Sequence, residues 1–125
     1  MKPPVETVKV SQRGKEVLSR LKARTGIDQW NILCRWAICA SLQSANRAPK
    51  LEDLPDSNVE MNWKTFAGPL SEVLPVILAK RALTDGVDLA DASALSQFFR
   101  EHLERGIGKI QAAKSVGDLL RWDRN

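Results

Sequence analysis

The sequence predicts a mainly α-helical fold in which a short strand and two helices come first and further helices follow. Three observations support this prediction. Apolar and polar side chains alternate from residue 5 to residue 10, as in a half-buried strand. Apolar residues then recur at helical spacing, at Val17, Leu18 and Leu21. A longer apolar segment, from Trp30 to Leu42, has the length of a second helix.

The predicted strand should bury Val8 and Val10 and expose Thr7 and Lys9, because successive side chains of a strand point to opposite faces. A single strand leaves backbone donors and acceptors unpaired, so it needs a partner strand. The partner is either the same strand of a second copy of the chain or the alternating segment from Asn58 to Phe66. The sequence leaves both alternatives open.

The first helix is predicted from about Gln12 to Arg24, with Ser11 as its N-cap and Gly26 as a left-handed C-cap. Asp28 is the predicted cap of the second helix, which should extend to about residue 45. That second helix is apolar almost all the way round, which is typical of a helix buried on every side. In a chain this short, we expect such a helix to lie at the centre of a dimer or tetramer.

The remaining chain is predicted to be helical from Leu70 to Leu83 and from Asp91 to Arg105. Pro75 fits the helix from Leu70 to Leu83 only if that helix begins late, since proline is tolerated in the first turn of a helix. Gly106 and Gly108 should mark the end of the helix from Asp91 to Arg105. Residues 117–121 should form a last short turn that carries Trp122. The length predicts one domain, residues 1–125, with a basic half at 1–45 and a helical, acidic half at 46–125.

The positive charge lies in the first half of the chain. Residues 1–50 carry ten Lys and Arg against three acidic residues, whereas the remainder carries nine against twelve. This asymmetry points to a polyanionic partner for the N-terminal half. The strand and first helix supply the candidate DNA-binding residues, which are Lys9, Arg13, Lys15, Arg20, Lys22 and Arg24.

A strand followed by two helices, with basic residues on the first helix, has the order of a ribbon-helix-helix module. Two copies of such a module pair their strands into a ribbon that enters the DNA major groove. Thr7 and Lys9 would then face bases or phosphates. The alternative is that the strand pairs within one chain and that the basic residues are only a solvated surface.

Catalytic and metal-binding signals are weak. His102 lies beside two glutamates in a predicted helix, a pattern more typical of a surface residue than of a general base. Cys34 and Cys39 diverge too far around one helix to form a disulfide, and they are predicted to be buried apolar residues. We therefore expect no enzyme activity, no cofactor and no metal site. The chain has no membrane-length apolar run and no signal-peptide pattern, so the expected location is the cytoplasm.

The stretch from Asn62 to Gly68, Asn-Trp-Lys-Thr-Phe-Ala-Gly, resembles the DndE family of bacterial DNA phosphorothioation proteins. The N-terminal strand-helix-helix order and the apolar Trp30 to Leu42 segment share the resemblance. It implies a small helical protein that self-assembles and binds duplex DNA, including nicked duplex. It also implies partners among the other sulfur-modification proteins, which replace a non-bridging phosphate oxygen by sulfur. A nicking activity has been proposed for the family, and this sequence offers no obvious residues for it.

Three functions follow from the sequence, beside a sequence-specific repressor of the ribbon-helix-helix kind, which would show a large preference for one palindromic site. The first is a non-catalytic DNA-binding accessory protein of DNA sulfur modification, which is the one that the charge distribution and the resemblance favour together. The second is a DNA nickase. The third is a protein adaptor that bridges sulfur-modification subunits through the acidic half of the chain.

Overall fold

A computed structural model describes residues 1–120 of the chain. The chain begins with strand β1 (Thr7–Ser11) and helix α1 (Gln12–Thr25), continues through helix α2 (Trp30–Gln43), and forms a second strand, β2 (Asp56–Asn62). Helix α3 (Trp63–Ala67) and the 3-10 turn Gly68–Leu70 follow at once. The last elements are helix α4 (Leu74–Thr84), helix α5 (Ala92–Ile110) and helix α6 (Val116–Leu119).

Strand β1 pairs antiparallel with β2 of the same chain, in a register that places Val8 opposite Met61 and Lys9 opposite Glu60. The partner is therefore the second alternative raised by the sequence, and the ribbon-helix-helix arrangement is not confirmed. The register shifts between Lys9 and Ser11, and the Ser57 hydroxyl donates to the Val10 carbonyl there, at 2.8 Å. Val8 and Val10 are buried, as predicted, while Thr7 and Lys9 are exposed.

β2 begins and ends earlier than the predicted strand, Asn58 to Phe66. It ends at Asn62 because the Asn62 side chain accepts a hydrogen bond from the Thr65 amide at 2.8 Å and so caps α3. The alternation of apolar residues continues as far as Trp63, although this residue is helical. The sequence pattern therefore predicted the existence of the strand correctly and its end wrongly.

Helices α2 and α5 form the centre of the molecule and pack against each other along their length. Gly106 allows their close approach, because a Cβ at this position would fall on the carbonyl group of Ala37. The prediction that Gly106 ends the helix is therefore wrong, since α5 continues to Ile110. One core contains side chains from every helix and both strands, including Val10, Leu18, Leu33, Ile38, Val59, Phe66, Leu78, Leu103 and Leu119.

The helix termini follow capping chemistry in most places. The Ser11 hydroxyl accepts from the Gly14 amide at 2.9 Å, and Gly26 adopts the left-handed conformation at φ 76°, both as predicted. Asp28 does not cap α2, which begins after Gln29 without a side-chain cap. α4 starts late, at Leu74, so that Pro75 lies in its first turn.

α2 is less completely covered than its sequence predicts. Ile32, Arg35 and Trp36 are half-buried, and Cys39 is exposed, so one face of the helix opens to a cleft. Cys34 is buried, as predicted, and the prediction of a buried Cys39 is wrong. The last predicted turn lies at Val116–Leu119, and Arg121 and Trp122 fall outside the described residues. No helix within residues 1–120 is both long and apolar enough to span a membrane.

Candidate nucleic-acid interface

Of the six predicted DNA-binding residues, Lys9 lies on β1 and the other five lie on α1, where they occupy two different edges. Arg13, Arg20 and Arg24 are exposed on one edge, because their spacing returns them to the same side of a helix with 3.6 residues per turn. Lys15 and Lys22 lie on the opposite edge, and both are partly buried. The buried face between them carries Gly14, Val17, Leu18 and Leu21.

The two lysines have partners within the chain. The Lys15 ammonium donates to the Asn58 side-chain oxygen at 2.6 Å, which links α1 to β2. The Lys22 ammonium lies 3.4 Å from the ring centroid of Trp30, a cation–π contact at the start of α2. These contacts orient both lysines toward the protein rather than toward solvent.

Arg13, Arg20 and Lys9 are the uncommitted cations of the set. Within the part of the chain that the structure describes, no hydrogen bond or ion pair holds their side chains. Arg24 makes one exposed hydrogen bond, from its guanidinium to the Gln111 carbonyl at 3.1 Å. Lys9 lies across the sheet from Glu60, which offsets its charge.

The N-terminus of α1 is occupied by protein groups. The Gln12 amide donates to the Pro55 carbonyl at 2.9 Å, and the Gly14 amide donates to the Ser11 hydroxyl. The Glu104 carboxylate accepts from the Ser11 amide at 3.2 Å and from its hydroxyl at 2.6 Å. A carboxylate at this helix end takes the place that a phosphate would otherwise favour.

We refer to the edge of α1 that carries Arg13, Arg20 and Arg24 as the arginine edge. A pocket of about 140 Å³ lies beside it, between α1, the segment 49–54 and α5. Arg13, Glu101, Gln111 and Gly108 contribute to its walls. No local sequence pattern predicts this pocket, because its lining residues are distant along the chain. The available signal was the recurrence of polar and glycine residues along one face of α5, at positions 101, 104, 108 and 111.

The Asn62 to Gly68 stretch is built mainly for packing. Trp63, Phe66 and Phe99 form a cluster with ring centroids 5.3 to 5.9 Å apart. The Arg35 guanidinium donates to the Phe66 carbonyl at 2.9 Å. Gly68 has φ 53°, and a Cβ there would lie 2.7 Å from the Arg35 guanidinium, so this position requires glycine. Asn62, Lys64 and Thr65 are the exposed members of the stretch.

A family model described as DNA sulphur modification protein DndE matches residues 7–118, which include this stretch and both strands. The chain belongs to the DndE family. No curated protein and no solved structure matches the chain. Membership gives the protein a role in DNA sulphur modification, and the matched range contains all six predicted DNA-binding residues.

This DndE-family chain contains a buried polar cluster around His102, which the sequence analysis wrongly predicted to be a surface residue. The Ser41 hydroxyl lies 2.8 Å from His102 Nδ1, and the Arg105 guanidinium donates to the same hydroxyl at 2.8 Å. Ser41 and His102 are both fully buried. Within residues 1–120, His102 Nε2 has no hydrogen-bond partner and lies 3.8 Å from the Asp85 carboxylate, which the Arg81 guanidinium holds at 3.1 Å.

Burial, followed by the nearby Arg105 and Arg81 charges, lowers the pKa of His102 from 6.5 to about 4, although the Asp85 carboxylate acts in the opposite direction. The imidazole is therefore neutral at physiological pH. Ser41 accepts from Arg105, and its hydroxyl also shares a hydrogen bond with Nδ1 of the neutral imidazole. The cluster ties the end of α2 to α4 and α5.

The two cysteines differ in environment. Burial, with a smaller contribution from the Glu104 charge, raises the pKa of the Cys34 thiol from 9.0 to about 12, so it behaves as an apolar core residue. Although Cys39 is exposed, partial desolvation by the surrounding protein raises the pKa of its thiol, against the nearby Arg35 charge. Residues 1–120 contain no group of three His, Cys, Asp or Glu residues arranged to hold a metal ion.

Proposed function

We propose that this DndE-family protein is a non-catalytic DNA-binding accessory protein of the sulfur-modification system. It binds duplex DNA, including nicked duplex, mainly through phosphate contacts by Lys9, Arg13, Lys15, Arg20, Lys22 and Arg24. The observation that carries the proposal is the exposed arginine edge of α1, where Arg13 and Arg20 have no partner within the described chain. Uncommitted guanidinium groups on a rigid helix suit phosphate oxygens, which they contact in pairs.

The six residues differ in the contacts that their side chains make within the chain. Arg13, Arg20 and Lys9 contact phosphates without losing any internal bond. Lys15 and Lys22 must first leave Asn58 and Trp30, and a cation–π contact at a partly exposed site contributes about 1 kcal/mol. We therefore assign the larger part of the salt-dependent affinity to the arginine edge.

The non-catalytic part of the proposal is supported by the burial of the Ser41 and His102 pair. This pair has the residue types of a nucleophile and its base, but neither side chain reaches solvent. A DNA backbone has no access to the serine oxygen. Its contacts with Arg105 instead give the pair a structural role at the end of α2.

The test is a salt titration of DNA binding by the double variant Arg13→Gln/Arg20→Gln. Each neutralised phosphate contributes about −0.9 to the slope of log affinity against log salt on duplex DNA, so the double variant should reduce the slope by about 2. Intact and nicked duplexes of unrelated sequence serve as ligands, and fluorescence anisotropy gives the affinities. The matched control is Lys80→Gln/Lys114→Gln, which removes two exposed cations elsewhere and should leave the slope unchanged.

An unchanged slope in the arginine variant would contradict the proposed DNA surface. Strand cleavage that copurifies with the wild-type protein and is abolished by one point substitution would instead establish the nickase function. Absence of DNA binding at low salt would favour a protein adaptor.

A protein-binding role is the second candidate, and one surface of α4 favours it. Val73, Val76, Ile77 and Leu83 expose between 46% and 62% of their surface and lie on the side of α4 opposite its buried residues. We refer to these four residues as the α4 stripe. An exposed apolar row of this kind is typical of a protein interface. We propose that it joins copies of this chain in the dimer or tetramer, while other sulfur-modification proteins remain the heterologous partners.

A further inference from the structure

The pocket beside the arginine edge has an apolar floor and a polar rim. Its floor is formed by Val17, Leu51, Leu54 and Ile107, and its volume is about 140 Å³. An apolar cavity of about 150 Å³ holds one benzene ring. The pocket therefore has room for a single six-membered ring, the size of a pyrimidine base.

Three side chains on the rim have free hydrogen-bonding capacity. Arg13 has no partner within the described residues, and the Gln111 side-chain amide is likewise unbonded there. The Glu101 carboxylate uses one oxygen to accept from Gln97 at 3.1 Å and keeps the other free. Donors and an acceptor thus surround a ring-sized apolar space.

The other charged groups of the wall are already engaged. Glu104 is held by Ser11, and the three donor nitrogens of the Arg105 guanidinium bond Ser41 and Asn46. Because these groups are fixed by protein partners, they shape the pocket but leave its recognition chemistry to Arg13, Glu101 and Gln111.

We propose that this pocket accepts one unpaired pyrimidine base of bound DNA. Glu101 accepts from the base's N–H groups, and Arg13 or Gln111 donates to its carbonyl oxygen. The inference rests on the proposed DNA-binding function. The pocket is continuous with that surface, since Arg13 lines it and Arg24 bonds the carbonyl of its neighbour Gln111.

A base fits this site better than an apolar side chain of a protein partner does. An aliphatic side chain would fill the floor but would cover Arg13 and the free Glu101 oxygen without bonding them. Desolvating unpaired polar groups is costly, whereas the edge of a pyrimidine satisfies both a donor and an acceptor.

The test fills the pocket by Gly108→Leu. Gly108 lines the pocket, and a Cβ there would meet nothing within 4 Å, so a leucine side chain begins in open space at the pocket wall. Replacing a glycine inside a helix also favours folding. The matched control is Ala112→Leu, which adds a similar side chain at a nearby exposed residue that does not line the pocket.

Each protein is titrated with a fully paired duplex and with the same duplex carrying one bulged thymine, and the ratio of affinities is the readout. We expect the wild type and Ala112→Leu to favour the bulged duplex about tenfold, the gain of one specific base contact. Gly108→Leu should bring the ratio to about one. An abasic bulge keeps the bent backbone and lacks the base, so it should lower the wild-type ratio to that of Gly108→Leu.

The outcomes separate the two proposals. A wild-type ratio of about one, with normal binding to paired duplex, overturns the base pocket and leaves DNA binding intact. A ratio that survives in Gly108→Leu or with the abasic bulge also overturns it, as does an equal preference for a bulged adenine. Absence of binding to either duplex at low salt overturns both the proposed function and this inference.

Discussion

His102 shows how burial and neighbouring charges set the behaviour of a residue whose sequence neighbours suggest a surface position. Its imidazole is enclosed with Ser41 and faces the Asp85 carboxylate and the Arg81 and Arg105 guanidinium groups. Protonation would add a third positive charge to two arginines around a single carboxylate. The buried neutral imidazole therefore makes the stability of the fold depend on pH.

The lowered pKa of His102 determines whether stability rises or falls with pH. The pKa is lowered from 6.5 to about 4 on folding, so between these values the unfolded chain binds a proton that the folded chain does not. Stability should therefore fall as the pH decreases below about 6.5. When the pH is lowered from 7.5 to 5, His102 should reduce the free energy of unfolding by about 2 kcal/mol.

Urea unfolding of the wild type and of His102→Gln at several pH values measures this contribution. Other groups titrate equally in both proteins, so the difference between the two curves isolates His102. We expect the wild type to lose about 2 kcal/mol more than His102→Gln over this range. Parallel curves would contradict a neutral buried imidazole in the native state.

At the scale of elements, the contact between α2 and α5 depends on the absence of one side chain. A Cβ at residue 106 would fall on the Ala37 carbonyl and lie 2.9 Å from the Ala37 Cα. The obstacle is backbone inside a helix, which has no rotamer to change, so the two helices would have to separate. Gly106→Ala should destabilise the fold by about 3 kcal/mol, at the upper end of overpacking costs.

Gly108→Ala is the matched control, because it places the same methyl group two residues later on the same helix. Its Cβ would meet nothing within 4 Å, and the gain in helix propensity of about 1 kcal/mol should stabilise the protein slightly. Thermal or urea unfolding of the two variants gives the comparison. Equal effects of the two alanines would contradict the close approach at Ala37.

Element by element, the sequence predicted what local chemistry decides. The Ser11 cap, the Gly26 C-cap and the two buried valines of β1 are confirmed, because each depends on neighbouring residues. Asp28 was wrongly predicted as a cap, and Gly106 was wrongly predicted to end α5. In the second case the glycine serves a contact with a helix far away in the chain, which no local pattern records.

At the scale of the whole molecule, the candidate site was predicted in composition but not in arrangement. The sequence identified six cations, whereas only the fold shows that Lys15, Lys22 and Arg24 have protein partners and that Arg13 and Arg20 have none within residues 1–120. Local patterns also could not predict which strand pairs with β1. Pairing with a second copy or with residues 56–62 satisfies the same backbone groups. The six-residue DNA site itself stays a prediction.

Assembly is also a property of the whole molecule, and the α4 stripe makes it testable. The double variant Val76→Ser/Leu83→Ser removes apolar surface at residues that are 53% and 62% exposed, so the folded monomer loses little packing. If copies of the chain associate through this stripe, both substitutions fall in the interface. They should raise the dissociation constant at least about tenfold, the effect of roughly 1.4 kcal/mol.

Light scattering over a range of protein concentrations, at low and high salt, measures this association. The matched control is Val116→Ser/Leu120→Ser, which changes two apolar residues of similar exposure, 42% and 63%, outside the stripe. We expect the control to assemble like the wild type. Association through apolar burial should also persist at high salt, whereas phosphate contacts of the arginine edge weaken. A wild-type monomer, or equal effects of both double variants, would remove the α4 stripe as the interface and leave the DNA surface untouched.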